Sequence, residues 1–384
     1  MLNRRQFLAR LGASASLLLW PPLALLAAEG QPPRPQRLAV VLLRGALDGL
    51  AAVPAYAEPT FAALRGELDL SGSGGTGLLK LDGTFALHPA LVACHRLFSD
   101  GDFAVVHACG LPYEGRSHFD AQECLENGSD SPTGSRTGWL NRAVGAMQGS
   151  QGLGIASSRP LIIRGDAPFS TWSPTPGRQS PAALANRIAE LYARDPALGA
   201  TFARAIAAQR VVPGDLASGG QLDDVMATAG EFLADAQGPQ VALVQDDGWD
   251  THAQQNAVLS RKLEQLDSGM RRLRETLAPR WRDTAVIVVT EFGRTVRING
   301  TRGTDHGTAS TVLLAGGAIR GGKVHGEWPG LARLKDGRDL ITTRDVRSVL
   351  KGVLRDHMHI DEAALGDHVF PRSRGVAALD GLIA

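Results

Sequence analysis

Long apolar runs recur along the chain, and segments with helical spacing separate them. Their length and their content of Val, Leu and Ile are typical of buried strands. The runs are 38–43, 102–110, 240–245, a run starting at 284, and 311–315. We therefore predict a sheet built from at least these strands, with the first of them near its centre.

Between the runs, apolar residues recur at helical intervals and the helix ends carry recognisable signals. The segment LHPALVACHRLFSDG predicts an amphipathic helix closed by Gly101, and Ser117 predicts an N-cap of a helix that Gly128 ends. A long polar helix is predicted over 253–277. Because strands alternate with helices, the sequence predicts an α/β fold, a three-layer sandwich with a mostly parallel central sheet and helices on both faces.

The first 28 residues have the layout of an export signal rather than of a folded element. Arg4 and Arg5 stand before a modest apolar stretch that ends in small residues at Ala27 and Ala28. The RRxFL core resembles the twin-arginine export signal, so the mature chain is predicted to begin near Glu29 and to be periplasmic or secreted.

The remaining chain, 36–384, is predicted to form a single α/β domain with a helical insertion near 180–237. No segment after the export signal is long and apolar enough to predict a transmembrane span. With 40 Lys and Arg against 39 Asp and Glu, the chain has no basic run that would indicate a nucleic-acid partner. The 3 cysteines form no CxxC pair, which argues against a structural zinc site or a disulfide framework.

Polar residues follow the ends of the predicted strands, where parallel strands bring their carboxyl ends to one edge of a sheet. Carboxylates and imidazoles at such an edge are ligand types for Zn, Mn or Mg, and a serine at a helix start lies where an anion is stabilised. Two metals there could clamp the oxygens of a phosphoryl or sulfuryl transfer. These residues are Asp48, Ser117, His118, Asp120, Asp250, His252, Glu291, Arg294, Asp305 and His306.

Several motifs together resemble one bacterial family of exported proteins. The motifs are LLRGALDGL, SHFDAQECLENG, TGWLNR, GWDTHAQQ, TEFGRTVRINGTRGTDHGTAS and GGKVHGEWPGL, spread in this order over roughly residues 36–355. They resemble the family known as domain of unknown function 1501, which is grouped with the alkaline phosphatase and sulfatase superfamily. The resemblance implies an alkaline-phosphatase-like fold.

It also implies roles for single residues. Ser117 would be the nucleophile at a helix start, with Arg294 as a second catalytic group. A divalent metal, Zn, Mn, Mg or Ca, would be bound by Asp48, Asp250, His252, Glu291, Asp305 and His306. The substrate would be a small-molecule or glycan ester of phosphate or sulfate.

Alternatives remain beside these roles. Ser117 is as well explained as a plain N-cap, Arg294 as an ion-pair partner of Glu291, and His118 and Asp120 as residues that orient their helix. The chain also departs from the superfamily pattern, because Phe292 stands where a histidine is expected. A second hypothesis is therefore a non-catalytic exported binding protein that keeps the fold with a degenerate metal site.

Overall fold

The strands predicted from the apolar runs lie side by side in one central sheet. A computed structural model describes residues 35–71, 77–147, 149–156, 158–173 and 220–384. The strands are β1 (Arg37–Leu43), β2 (Leu79–Lys80), β3 (Ala86–Leu87), β4 (Phe103–Gly110), β5 (Gly152–Ile155), β6 (Phe169–Trp172), β7 (Val241–Asp246), β8 (Thr284–Thr290), β9 (Ser310–Ala315), β10 (Lys323–His325) and β11 (Arg344–Asp345). All five predicted strands are present, as β1, β4, β7, β8 and β9.

The order of strands along the sheet is β10-β4-β9-β8-β1-β7-β5-β6, and β11 also pairs with β4. β9 pairs antiparallel with both of its neighbours, β4 and β8. The other pairings in this sheet are parallel. The prediction of a mostly parallel sheet is therefore confirmed, with β9 as the strand that runs the other way. β2 and β3 form a separate antiparallel pair.

Helices cover both faces of the sheet. They are α1 (Gly49–Ala52), α2 (Phe61–Arg65), α3 (Val92–Asp100), α4 (His118–Asn127), α5 (Trp139–Ala146), α6 (Leu222–Ala234), α7 (Gln255–Thr276), α8 (Val346–Asp356) and α9 (Glu362–Ala364). Successive residues of a strand point to opposite faces, so Val41 packs with the side chains of α3, α6 and α7 while Val40 packs with those of α4, α5 and α8. Each such side chain contributes about 1.5–3 kcal/mol by leaving water. The predicted α/β sandwich is confirmed.

The predicted helix ends are found where the sequence placed them. Gly101 ends α3 with a φ of 85° and Gly128 ends α4 with a φ of 71°, both in the left-handed region that glycine adopts without strain. Ser117 is the N-cap of α4, and its side chain accepts a hydrogen bond from the Asp120 amide. The long helix α7 begins two residues after the predicted start of 253.

Residues Gln36–Ala384 form one compact unit. The predicted export signal, 1–28, lies outside the described residues, as does most of the predicted insertion near 180–237; α6 is the described part of that insertion. Among the described residues, no helix has the length and apolar character needed to cross a bilayer.

Candidate metal centre

The carboxyl edge of the sheet gathers side chains from three connections. His118 comes from the start of α4 beyond β4, Asp250 and His252 follow β7, and His306 precedes β9. We call these four residues the histidine cluster. Their side chains are partly open to solvent, from 22% for His118 to 44% for His252, so a small ligand can reach them.

The ring nitrogens of the histidine cluster converge. His306 Nε2 lies 2.9 Å from His252 Nε2, 3.0 Å from His118 Nε2 and 3.3 Å from Asp250 Oδ1. Asp250 Oδ1 is 3.0 Å from His252 Nε2, and Asp250 Oδ2 is 3.4 Å from His118 Nε2. Ligand atoms of His118, Asp250 and His306 all lie within 4.8 Å of one another, which is close enough to share one metal ion.

Each imidazole has an acceptor at its other nitrogen. His118 Nδ1 is 2.8 Å from Glu291 Oε1, and His306 Nδ1 is 2.9 Å from the Arg116 carbonyl. His252 Nδ1 faces Asp305 Oδ1 at a longer 3.4 Å. If Nδ1 carries the proton in each ring, the three Nε2 lone pairs point at one another. Lone pairs at these distances repel unless a proton or a cation lies between them, so the donor set fits a metal.

Arg294 holds the carboxylate of the cluster. Its NH1 donates to Asp250 Oδ1 at 2.6 Å and its NH2 to the Thr304 carbonyl at 2.6 Å, with the side chain fully buried. Burial alone would raise the pKa of Asp250, but the hydrogen bond and charge of Arg294 outweigh it and lower that pKa. The alternative ion pair between Arg294 and Glu291 is wrong, because the carboxylate partner of Arg294 is Asp250. Arg294 therefore positions Asp250.

Glu291 lies behind the cluster rather than within it. The side chain is fully buried and accepts hydrogen bonds from His118 Nδ1, from the Gly45 amide at 2.8 Å and from Gln122 Nε2 at 3.0 Å. Its second oxygen accepts from Thr290 Oγ1 at 3.0 Å. Burial opposes ionisation, but these donors, His118 first, lower the pKa of Glu291. The structure thus shows Glu291 as the acceptor for His118 Nδ1, and its expected role as a metal ligand stays a prediction.

Asp48 is also placed away from the cluster. Its carboxylate is 1% exposed and accepts from Arg65 NH2 at 2.5 Å and from Gln255 Nε2 at 2.6 Å. It also caps α1 through the Ala51 amide. Asp48 is thus a buried ion-pair partner of Arg65, with Oδ2 accepting from Arg65 and Gln255 and Oδ1 from the Ala51 amide. The expectation that Asp48 binds metal stays a prediction.

A buried hydrogen-bonded chain nevertheless links Asp48 to the cluster. Gln255 Oε1 accepts from Thr304 Oγ1 at 2.6 Å, and Arg294 Nε donates to the same hydroxyl at 3.2 Å. Through this chain the Asp48–Arg65 pair supports the guanidinium that holds Asp250.

Ser117 precedes His118, and its side chain contact is the capping bond from the Asp120 amide at 3.4 Å. Asp120 accepts from the Tyr113 hydroxyl at 2.9 Å and is not part of the cluster. Phe292, which occupies the place of the expected histidine, packs its ring 4.8 Å from that of His118. The cap is thus observed, and a role as nucleophile remains a hypothesis.

Two residues that shape the site lie outside the ligand set that the resemblance implies. The sequence places His118 among the candidate residues at the sheet edge, with orienting its helix as the alternative, and it follows a strand end as Asp250 and His252 do. Asp339, fully buried, accepts from Arg116 NH2 at 2.6 Å and from Arg338 Nε at 3.1 Å. Arg338 NH2 donates to the carbonyl of His306 at 2.7 Å. Asp339 therefore binds both arginines that contact His306, and no local sequence signal marks Asp339.

A polar cleft of ≈ 560 Å³ is lined in part by residues of α4. Its lining includes Phe119, which is 85% exposed, and Gln122, the donor to Glu291. Arg44 connects the cleft to the site, because its NH1 donates to Gln122 Oε1 at 2.8 Å. A cleft of this size can hold a small organic group.

Solved structures that are similar to this chain in fold are about 10% identical to it in sequence. A 2-O GAG sulfatase has a TM-score of 0.42 at 10% identity, covering 90% of this chain and 76% of that one. TAB5 alkaline phosphatase, in a mutant with Mg bound, has a TM-score of 0.36 at 11% identity, covering 74% and 92%. The C-terminal periplasmic domain of EcEptC from Escherichia coli, in complex with Zn, has a TM-score of 0.35 at 10% identity, covering 74% of each chain.

Likenesses this distant show nothing about activity, and no curated protein matches the chain. The model of one family, described as protein of unknown function (DUF1501), matches residues 107–350. This match spans more than half of the chain, and the protein therefore belongs to the DUF1501 family.

Proposed function

We propose that the protein is an exported, metal-dependent hydrolase of phosphate or sulfate esters. The observation that carries this proposal is the convergence of three imidazole Nε2 atoms on the Asp250 carboxylate at the carboxyl edge of the sheet. Such edges are where α/β sheets bind their ligands, and this donor set fits a divalent cation.

The surrounding residues suit an anionic ester. A divalent ion in the cluster would act as a Lewis acid on the ester oxygens. Arg294 adds a second, fully buried positive charge 2.6 Å from Asp250. In hydrolysis, the bond between phosphorus or sulfur and the ester oxygen breaks, water supplies the new oxygen, and the leaving alcohol takes up a proton. The alcohol portion would occupy the cleft beside Phe119 and Gln122.

We propose Ser117 as the attacking group, because it directly precedes a ligand of the cluster at the start of a ten-residue helix. Its oxygen would displace the alcohol, which takes up the serine proton, and water would then hydrolyse the serine ester, releasing phosphate or sulfate and restoring the Ser117 hydroxyl. The free amides of a helix start stabilise negative charge, which would help a developing oxyanion. The capping contact observed for its hydroxyl is compatible with either a cap or a nucleophile, and substitution separates the two.

The test measures hydrolysis by the purified mature protein. It should cleave p-nitrophenyl phosphate or p-nitrophenyl sulfate only when loaded with a divalent metal, and His306→Ala should abolish the cleavage. Asp267→Asn is the matched control, because Asp267 accepts from the Ala93 and Cys94 amides far from the site. If the metal-loaded protein cleaves neither ester, the hydrolase proposal fails and a non-catalytic binding protein becomes the better explanation.

A further inference from the structure

We infer that the histidine cluster takes one ion of the zinc class, held firmly by His118, His306 and Asp250 and loosely by His252. This inference deepens the proposed function and rests on its metal. It narrows the metal from any divalent cation to one that prefers nitrogen, and it replaces the two-ion site that the superfamily resemblance implies.

The donor types argue for this class of ion. Three neutral imidazoles and one carboxylate offer mainly nitrogen, which suits Zn and similar transition metals. Mg²⁺ and Ca²⁺ instead take six or more oxygen ligands, mostly carboxylates, carbonyls and water. The cluster supplies one carboxylate, and Arg294 already engages one of its oxygens.

The spacing of the donors also fits. In a tetrahedral site with metal–ligand bonds of about 2.0–2.1 Å, neighbouring ligand atoms lie roughly 3.3 Å apart. Five separations between donor atoms of the histidine cluster run from 2.9 Å between His252 and His306 to 3.4 Å between His118 and Asp250, with Asp250 using Oδ1 toward His252 and His306 and Oδ2 toward His118. Little movement is therefore needed to seat one ion.

The outer contacts rank the ligands. His118 and His306 donate to fixed acceptors at 2.8 and 2.9 Å, the buried Glu291 carboxylate and the Arg116 carbonyl. Such partners set the tautomer and orientation of a ligating imidazole. His252 is 44% exposed, and its acceptor Asp305 is 55% exposed and 3.4 Å away. His252 is thus the ligand that substrate can displace, which gives the ion an open position.

A second ion lacks ligands in the part of the chain that the structure describes. The carboxylates that would hold it, Asp48 and Glu291, are buried and already engaged by donors, Asp48 by Arg65 and Gln255 and Glu291 by His118 and Gln122. The described residues contain one group of side chains that could hold an ion, and it is His118, Asp250 and His306.

Calorimetric titration of the untagged, metal-stripped mature protein with Zn²⁺ alone, and separately with Mg²⁺ alone, tests this inference. We expect one Zn²⁺ per chain and much weaker binding of Mg²⁺. His118→Ala and His306→Ala should lower zinc affinity by more than the ~10–100-fold that is typical of changes to outer partners. His252→Ala should lower it less than either. Co²⁺ substitution should give the intense visible absorption of a four-coordinate site.

A control variant and a check of folding accompany these measurements. His95→Ala removes a histidine whose ring contacts the Lys80 carbonyl, away from the cluster, and should bind zinc as the parent does. If an alanine variant fails to fold, His118→Asn and His306→Asn take its place, with circular dichroism to show that they fold. Preference for Mg²⁺, two tightly bound ions per chain, or unchanged zinc affinity in folded His118 variants would overturn the inference.

The outcomes for the metal and for the activity are separable. One zinc bound per chain without ester hydrolysis would support the zinc site and refute the hydrolase. Hydrolysis supported by Mg²⁺ in a protein that does not bind zinc would refute the zinc site and leave the hydrolase standing.

Discussion

His118 Nδ1 lies 2.8 Å from Glu291 Oε1, and the Glu291 side chain is fully buried. The hydrogen bond that His118 donates to Glu291 raises the pKa of His118 against the opposing effect of burial. A carboxylate in this position turns the imidazole so that Nε2 faces the cluster, and it makes that nitrogen a better donor to a cation. Glu291 would therefore act on a bound metal through His118.

Glu291→Gln should weaken zinc binding while the fold survives. The amide keeps the shape of the side chain but removes the charge that polarises His118, so we expect a loss of ~10–100-fold in zinc affinity. Competition with a chromogenic chelator measures it. Asp267→Asn, a remote carboxylate change, is the control; equal zinc affinity in Glu291→Gln and the parent would rule out this role for Glu291.

Asp339→Asn should disturb the site through His306. The substitution removes the charge that holds Arg116 and Arg338. The backbone carbonyl of Arg116 contacts the ring of His306, and the guanidinium of Arg338 donates to the carbonyl of His306. We expect stability to fall by roughly 2 kcal/mol and zinc affinity by about tenfold. A purely structural role would lower the melting temperature but leave the Co²⁺ spectrum and the zinc affinity of the folded protein unchanged.

Ser117→Ala distinguishes a nucleophile from a helix cap. Loss of the capping bond should cost roughly 0.5–2 kcal/mol of stability, measured by urea unfolding. If Ser117 also attacks the ester, hydrolysis per folded molecule disappears while zinc remains bound. Activity per folded molecule equal to that of the parent would leave Ser117 as a cap alone.

Two buried histidines make stability depend on pH. Burial lowers the pKa of His88 and of His107 from 6.5 to about 4. Below pH 6.5 the unfolded chain takes up protons that the folded chain refuses, so folding stability is lost as the pH falls from about 6.5 to about 4 and not further below. The loss is on the order of 3 kcal/mol per histidine.

Urea unfolding between pH 7 and 4 measures this effect. His107 is neutral in its hydrogen bonds, since Nε2 donates to the Val53 carbonyl at 3.0 Å and Nδ1 accepts from the Ala108 amide at 3.0 Å. His88→Asn removes one proton-binding group, so the slope of the unfolding free energy against pH should fall by up to about 1.4 kcal/mol per pH unit. An unchanged slope in that variant would contradict the assignment.

The export signal is tested by replacing Arg4 and Arg5 with Lys. The paired arginines before Phe7 and Leu8 predict the twin-arginine pathway. The export receptor recognises the arginines themselves, so lysines of equal charge should not replace them. We expect full-length precursor to accumulate in the cytoplasm on immunoblots of cell fractions. Normal appearance of mature protein outside the cytoplasm would remove this claim.

The sequence predicts the strands best where they are long and apolar. β1, β4, β7, β8 and β9 are all buried throughout or nearly so, and their runs of Val, Leu and Ile are sufficient evidence of a strand. β5 and β6 have 4 residues each, and β5 reads Gly-Leu-Gly-Ile. β5 forms because β7 offers a partner and β6 in turn pairs with β5, which is a tertiary cause that no local pattern contains.

The candidate site, like the strands, is predicted by the sequence only in part. Position close to a strand end predicts that Asp250, His252 and His306 belong to one edge of the sheet, and they do converge. Asp48 and Glu291 satisfy the same positional rule, yet buried donors from distant segments occupy their carboxylates. Which acids remain free depends on those tertiary donors, and the sequence does not show them.

The antiparallel direction of β9 has a consequence for how this site could be lost. β8 ends and β9 begins at the same edge of the sheet, so the connection over 291–309 leaves and re-enters the sheet without crossing it. That single excursion carries Glu291, Arg294 and His306. A deletion within this one loop could remove the ligand His306 together with the supporting side chains of Glu291 and Arg294. Such a deletion would leave the residues of every strand in place. A descendant altered in this way would have lost the candidate centre without the loss of any strand.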